Sequence, residues 1–176
     1  MSGNVYTYQV LKDTTERAVI KLTAKFDGTG QENNPHRITA NTLSGALDSS
    51  RANLLSDTAN TGPLSYYNLS LHRLWYDCIN PANADVEIFW NSDNSNTALM
   101  LSGTYEYDGN SNWVTIANID RGTANCNGDI GVRTRGMVAN NSYTIIIELR
   151  KDNYDYQRGQ FNDPAAFNYP PYGLKP

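Results

Sequence analysis

Two histidines, His36 and His72, are the whole imidazole complement of the chain, and each needs a companion to act as a base or a ligand. Zinc would call for further His or Cys at ligand spacing, which neither histidine has. A serine elbow, a phosphate loop and a dinucleotide fingerprint do not occur either. Glycoside hydrolysis needs only two opposed carboxylates. Asp77, Asp85, Glu87, Glu106 and Glu148 fall on or near expected strands, but their spacing singles out no pair, and solvent-facing strand positions account for them. Asn91, Asp93 and Ser95 alternate as calcium-loop oxygens do, without the glycine and late glutamate such loops require. Asx turns explain that segment. No catalytic residue, cofactor or metal is expected.

Aromatic rings offer a second kind of chemistry. Trp75, Trp90 and Trp113 could stack on sugars. Trp75 and Trp90 lie inside apolar strand patterns, which predicts core. Trp113, preceded by Asn110, Ser111 and Asn112, is the ring expected at the surface, as a glycan or partner contact. Cys78 and Cys126 are read as two separate thiols, because the N-terminal residues carry no secretory pattern. No apolar run has the length of a membrane span, the longest being Tyr143 to Leu149. The expectation is therefore a chain kept in a cytoplasm until something assembles it, with no membrane partner. The net charge is −4 and lysine and arginine form no cluster, so direct nucleic-acid binding is not expected.

Charged residues make up 18% of the chain, below the usual quarter or so. Asn, Ser, Thr, Gly and Tyr fill the gap, and they favour turns and pleated surfaces over long helices. Ala18, Ile20, Leu22, Ala24 and Phe26 alternate with Val19, Lys21, Thr23 and Lys25, the period of a strand with one apolar face. Turn chemistry ends it at Asp27-Gly28-Thr29-Gly30. Val5 to Leu11 reads as an earlier strand, joined through a polar hairpin connection. His36 to Leu43 is a further candidate, and Ser44 to Pro63 is either a long polar excursion or a short helix around Ser49 to Leu55.

Tyr67 to Cys78 follows, with Leu69, Leu71, Arg73 and Trp75 assigned to one face and Leu74 and Tyr76 to the other. Val86–Trp90, Ala98–Leu101, Thr104–Tyr107, Asp129–Thr134 and Tyr143–Arg150 complete the set, with Trp113–Ile119 read as either a strand or an irregular segment. Eight to ten short strands at this spacing predict an antiparallel β-sandwich, jelly-roll-like, over residues 1–151.

The character changes after Lys151. Tyr154, Tyr156, Phe161, Phe167, Tyr169 and Tyr172 are strung along a Pro-bearing stretch, residues 152–176. Rings so spaced cannot build their own core, yet a merely solvated tail would be poor in aromatics. An extended arm that buries these six residues on another subunit, at about 150–250 Å² per ring, resolves the conflict; an arm folded back on its own domain is the alternative.

In this order, Thr15-Glu16-Arg17-Ala18-Val19-Ile20-Lys21-Leu22-Thr23, Leu71-His72-Arg73-Leu74-Trp75-Tyr76 and Val86-Glu87-Ile88-Phe89-Trp90-Asn91 stand along the chain. Leu99-Met100-Leu101-Ser102-Gly103, Asp129-Ile130-Gly131-Val132 and the run from Asn141 to Lys151 follow them. The set resembles the strands of small virion structural and head-decoration-type proteins of tailed phages, especially those of marine bacteria. The resemblance covers residues 5 to 151; the relatives end near the last strand, so residues 152–176 are extra. It implies a non-enzymatic virion protein, in the first place a capsid decoration (cement) protein that binds and stabilises the head shell. Its partners would be the major capsid protein or other virion subunits, with a homotrimer as the implied assembly and the virion, built in the host cytoplasm, as its location. A neck, tail or baseplate protein and a glycan-binding β-sandwich module are the alternative readings.

Overall fold

A computed structural model of the chain describes residues 3–46, 67, 69–79, 84–108, 116–117 and 126–151. The described part is all-β. In chain order the strands are β1 (Val5–Asp13), β2 (Arg17–Lys25), β3 (Asn33–Ile38), β4 (Leu69–Ile79), β5 (Asp85–Trp90) and β6 (Thr97–Leu101), then β7 (Gly103–Asp108), β8 (Ile116–Ala117), β9 (Ile130–Arg135) and β10 (Ser142–Lys151). One 3-10 turn, Ala40–Thr42, follows β3.

Every ladder is antiparallel, and the strands form two sheets in a sandwich-like arrangement. The larger sheet runs β1-β2-β10-β4-β7, with β8 also on β4; the smaller runs β3-β9-β5-β6. The pairing is nested. β2 lies against β10, β3 against β9, β4 against β7 and β5 against β6.

Alternation explains the core. On β2, Ala18, Ile20, Leu22 and Ala24 are buried, and their ladder partners on β10 are Leu149, Ile147, Ile145 and Tyr143, also buried. Val86, Ile88 and Trp90 of β5 close the core from the smaller sheet together with Ile130 and Val132. Gly28 takes φ +88° in the expected turn after β2, a conformation that glycine adopts without steric cost.

Three expectations need correction. The strand placed at His36–Leu43 lies earlier, at Asn33–Ile38, and its later half is the 3-10 turn. Pro35 fits there because β3 is a sheet edge, where a missing N–H breaks no ladder. Trp75 is not core. The ladder of β4 against β10 slips between Glu148 and Leu149, so His72 is an extra residue. A one-residue bulge moves everything beyond it to the other face. Leu69 and Leu71 therefore point inward, whereas Trp75 is turned outward and is 40% exposed. Glu87, the third case, is not solvent-facing: it is buried on the outer face of the smaller sheet.

Phe89 shares that outer face and is only 2% exposed. Its ladder partner is Gly131, and a Cβ there would lie 2.2 Å from the ring. The bare glycine lets the ring lie flat on the sheet while the Arg133 guanidinium covers it at 4.8 Å. Gly131→Val is accordingly expected to cost about 1–3 kcal/mol as an overpacking change. A melting temperature equal to the parent's would contradict this account of the ring's seat.

Candidate functional site

Four polar clusters join elements of the described fold. At one end of the smaller sheet, His36 Nδ1 lies 2.6 Å from Asp129 Oδ2. Asp129 is buried, accepts from the Ala40 N–H at 2.7 Å and from Asn127 Nδ2 at 2.9 Å. Asn91 reaches Asn127 Oδ1 at 3.4 Å. The carboxylate thus ties the irregular part of β3 to two loops and orients an exposed imidazole. Residues 93 positions apart leave no spacing signal, so the pair could not be found from sequence. Among the described residues no group of three His, Cys, Asp or Glu could hold a metal. In the Asn91–Ser95 loop the Ser92 hydroxyl accepts from the Asn94 and Ser95 N–H groups at 3.1 and 3.0 Å, so a serine turn organises the segment.

The second cluster lies in the core. Tyr143 donates to Glu32 Oε2 at 2.5 Å, and Arg37 Nε stands 3.1 Å from Glu32 Oε1. Burial is the main force raising the Glu32 carboxyl above its ordinary value, and burial followed by the Glu32 charge raises the Tyr143 phenol. Arg37 also donates to the carbonyls of Thr7 at 2.8 Å and Thr23 at 3.0 Å, which binds β3 beneath the first hairpin. The third cluster holds Glu87 against Arg133 and Thr97. The fourth holds the Lys151 ammonium against Asp13 Oδ1 at 2.5 Å and the carbonyls of Thr14 and Ser44 at 2.6 and 2.7 Å. All four fasten elements together. Cys78 and Cys126 are both buried and form no disulfide, and burial, then the Asp77 charge, pushes the Cys78 thiol up to about 12.

What remains unfastened is the rim of the larger sheet. Tyr6, Tyr8 and Val10 of β1 are register partners of Ala24, Leu22 and Ile20, so they occupy the face that elsewhere is core. Yet Tyr8 is 42% and Val10 45% exposed. From β3, the neighbouring edge of the smaller sheet, Arg37 reaches β1, its guanidinium 5.6 Å from the Tyr6 ring centre. The larger sheet simply extends further than the smaller one covers. At the opposite rim, Tyr105 of β7 faces the same side and packs on Tyr76 at 6.5 Å between ring centres. Residues 5 to 12 of β1 are exposed on both faces, leaving an apolar strip on the inner side and Thr7 and Gln9 on the outer.

The tyrosines and phenylalanines expected to grip a partner, Tyr154, Tyr156, Phe161, Phe167, Tyr169 and Tyr172, lie outside the described residues, as does Trp113. Sequence reasoning missed the β1 strip. Alternation identifies a strand, but it carries no information on whether a second layer covers it.

Comparison of this chain with protein-family models, with curated proteins and with solved structures gives no match.

Proposed function

We propose that the chain is a structural subunit of a tailed-phage virion, acting as a decoration (cement) protein on the head shell. One observation carries the reading: the nested ladders β2·β10, β3·β9, β4·β7 and β5·β6 are what a four-step hairpin rolled into two sheets would produce. Such a roll would be a jelly roll, an architecture shared by viral capsid and lectin domains. The clusters that join its elements and the uncovered β1 strip support a protein that works by surface contact. Shell contacts formed only in the mature particle would shift the equilibrium toward that particle, with residues 152–176 as the anchoring arm.

Two measurements test this. Removing residues 152–176 is expected to abolish or strongly weaken association with purified particles. Full occupancy by the shortened chain would refute the anchoring role. Densitometry of purified particles should give hundreds of copies per head; around a dozen would move the protein to the neck, tail or baseplate.

A further inference from the structure

We propose that β1 is a homotypic contact: two copies of this chain pair β1 with β1, antiparallel, about a two-fold axis at Tyr8, fusing their larger sheets into one. This goes beyond the particle assignment and stands without it.

β1 is an edge strand, and exposed edges normally carry charges, prolines or bulges that block pairing. From Val5 to Leu11 there is no charge, no proline and no glycine. The guards sit at one end only: the ladder with β2 slips between Val10 and Lys12, and Lys12 and Asp13 follow.

The pattern is also self-complementary. With Tyr8 on the axis, Tyr8 faces Tyr8 of the second copy, Tyr6 faces Val10, and Thr7 faces Gln9. Apolar residues thus meet apolar ones and polar residues meet polar ones. Lys12 falls opposite Asn4 and Asp13 opposite Gly3, so no like charges meet across the seam. Because directly paired residues share a face, this register keeps both cores on one side of the joined sheet. The strips Tyr6-Tyr8-Val10 of the two copies then run together as one apolar floor between the two smaller sheets. A slip by one residue would place each strip against the partner's outer face. The self-paired contact is isologous and closes at two copies, where the resemblance implied three.

A seam of this size lies at the low end of specific interfaces, on the order of 1,000 Å², which fits dissociation in the micromolar range. Sedimentation equilibrium of the full chain over about 1–100 μM should therefore resolve a monomer–dimer equilibrium. Tyr8→Lys sets two ammonium groups face to face at the axis and is expected to weaken the dimer about tenfold or more. Tyr8 is 42% exposed on an edge strand, where a lysine stem can carry its ammonium to water, so circular dichroism should show the variant folded. Tyr8→Cys supplies a second readout, because only a residue on the axis meets its own copy. Mild oxidation of this full chain should give a covalent dimer, while Thr144→Cys, central on the outer face of the larger sheet, should stay monomeric. A chain that is monomeric throughout the range, a trimer, or a dimer indifferent to Tyr8→Lys overturns the proposal. So does a monomer in which Cys at position 8 resists thiol reagents, a result that would assign the edge to another segment of the same chain.

Discussion

Lys151→Met is expected to destabilise the protein by about 3–5 kcal/mol, the range for breaking a buried ion pair from one side. The Lys151 side chain is 0% exposed, and its ammonium has three oxygens within 2.5 to 2.7 Å. They come from Asp13 at the end of β1, Thr14 in the hairpin connection and Ser44 after the 3-10 turn. Asp13 accepts from the Ser44 N–H as well, at 2.7 Å. Methionine fills the space but strands a carboxylate and two carbonyls, and that uncompensated charge is the main loss. Pairing the change with Asp13→Asn should recover a substantial part, since the stranded charge is then absent. Urea unfolding with an unchanged m-value would read both results. A loss below about 1 kcal/mol would mean the contact behaves as an ordinary surface pair. The effect also bears on assembly. The Lys151 N–H donates to the Glu16 carbonyl at 2.9 Å, so the point from which residues 152–176 continue is fixed beside the first hairpin.

Nothing local announces that clasp, whose partners are 138 positions apart. β2 and β10 are different: each has an unbroken period of two, and each is found within a residue or so of where its pattern places it. The turn at Asp27–Gly30 and the strand at Val86–Trp90 are legible for the same reason, since local chemistry alone decides them. Trp75 fails because alternation assumes an unbroken count, and the extra residue at His72 breaks it. Glu87 fails because an outer-face position was equated with water, whereas Arg133 lies over it and over the neighbouring Phe89, for whose ring Gly131 makes room. His36 and Asp129 meet only because β3 pairs with β9. The exposure of β1 depends on the unequal widths of two sheets, a tertiary quantity that no strand carries in its own pattern.

The Glu87 cluster yields the second large effect, and its size depends on pH. Glu87 is 2% exposed on the outer face of the smaller sheet, bonded by Arg133 through two nitrogens and by the Thr97 hydroxyl, with Arg135 at 3.5 Å. The Arg133 hydrogen bonds are the leading cause holding this carboxyl below its ordinary 4.5, against the opposing effect of burial. A depressed carboxyl contributes stability that is fully present above its unfolded value and is lost as pH falls through its folded value. Glu87→Gln, which keeps the shape and removes the charge, should therefore cost about 2–4 kcal/mol at neutral pH. The gap to the parent should narrow once the pH drops below 4.5. Glu32 provides the opposite slope within the same protein. Burial raises its carboxyl, so its proton-linked contribution is present below the unfolded value and is lost as pH rises through the folded one. Relative to Glu32→Gln, the parent should gain stability as the solution is acidified; relative to Glu87→Gln, it should lose it. Parallel stability–pH curves for the two variants would show that the Arg133 fork and core burial do not set these two carboxyls apart.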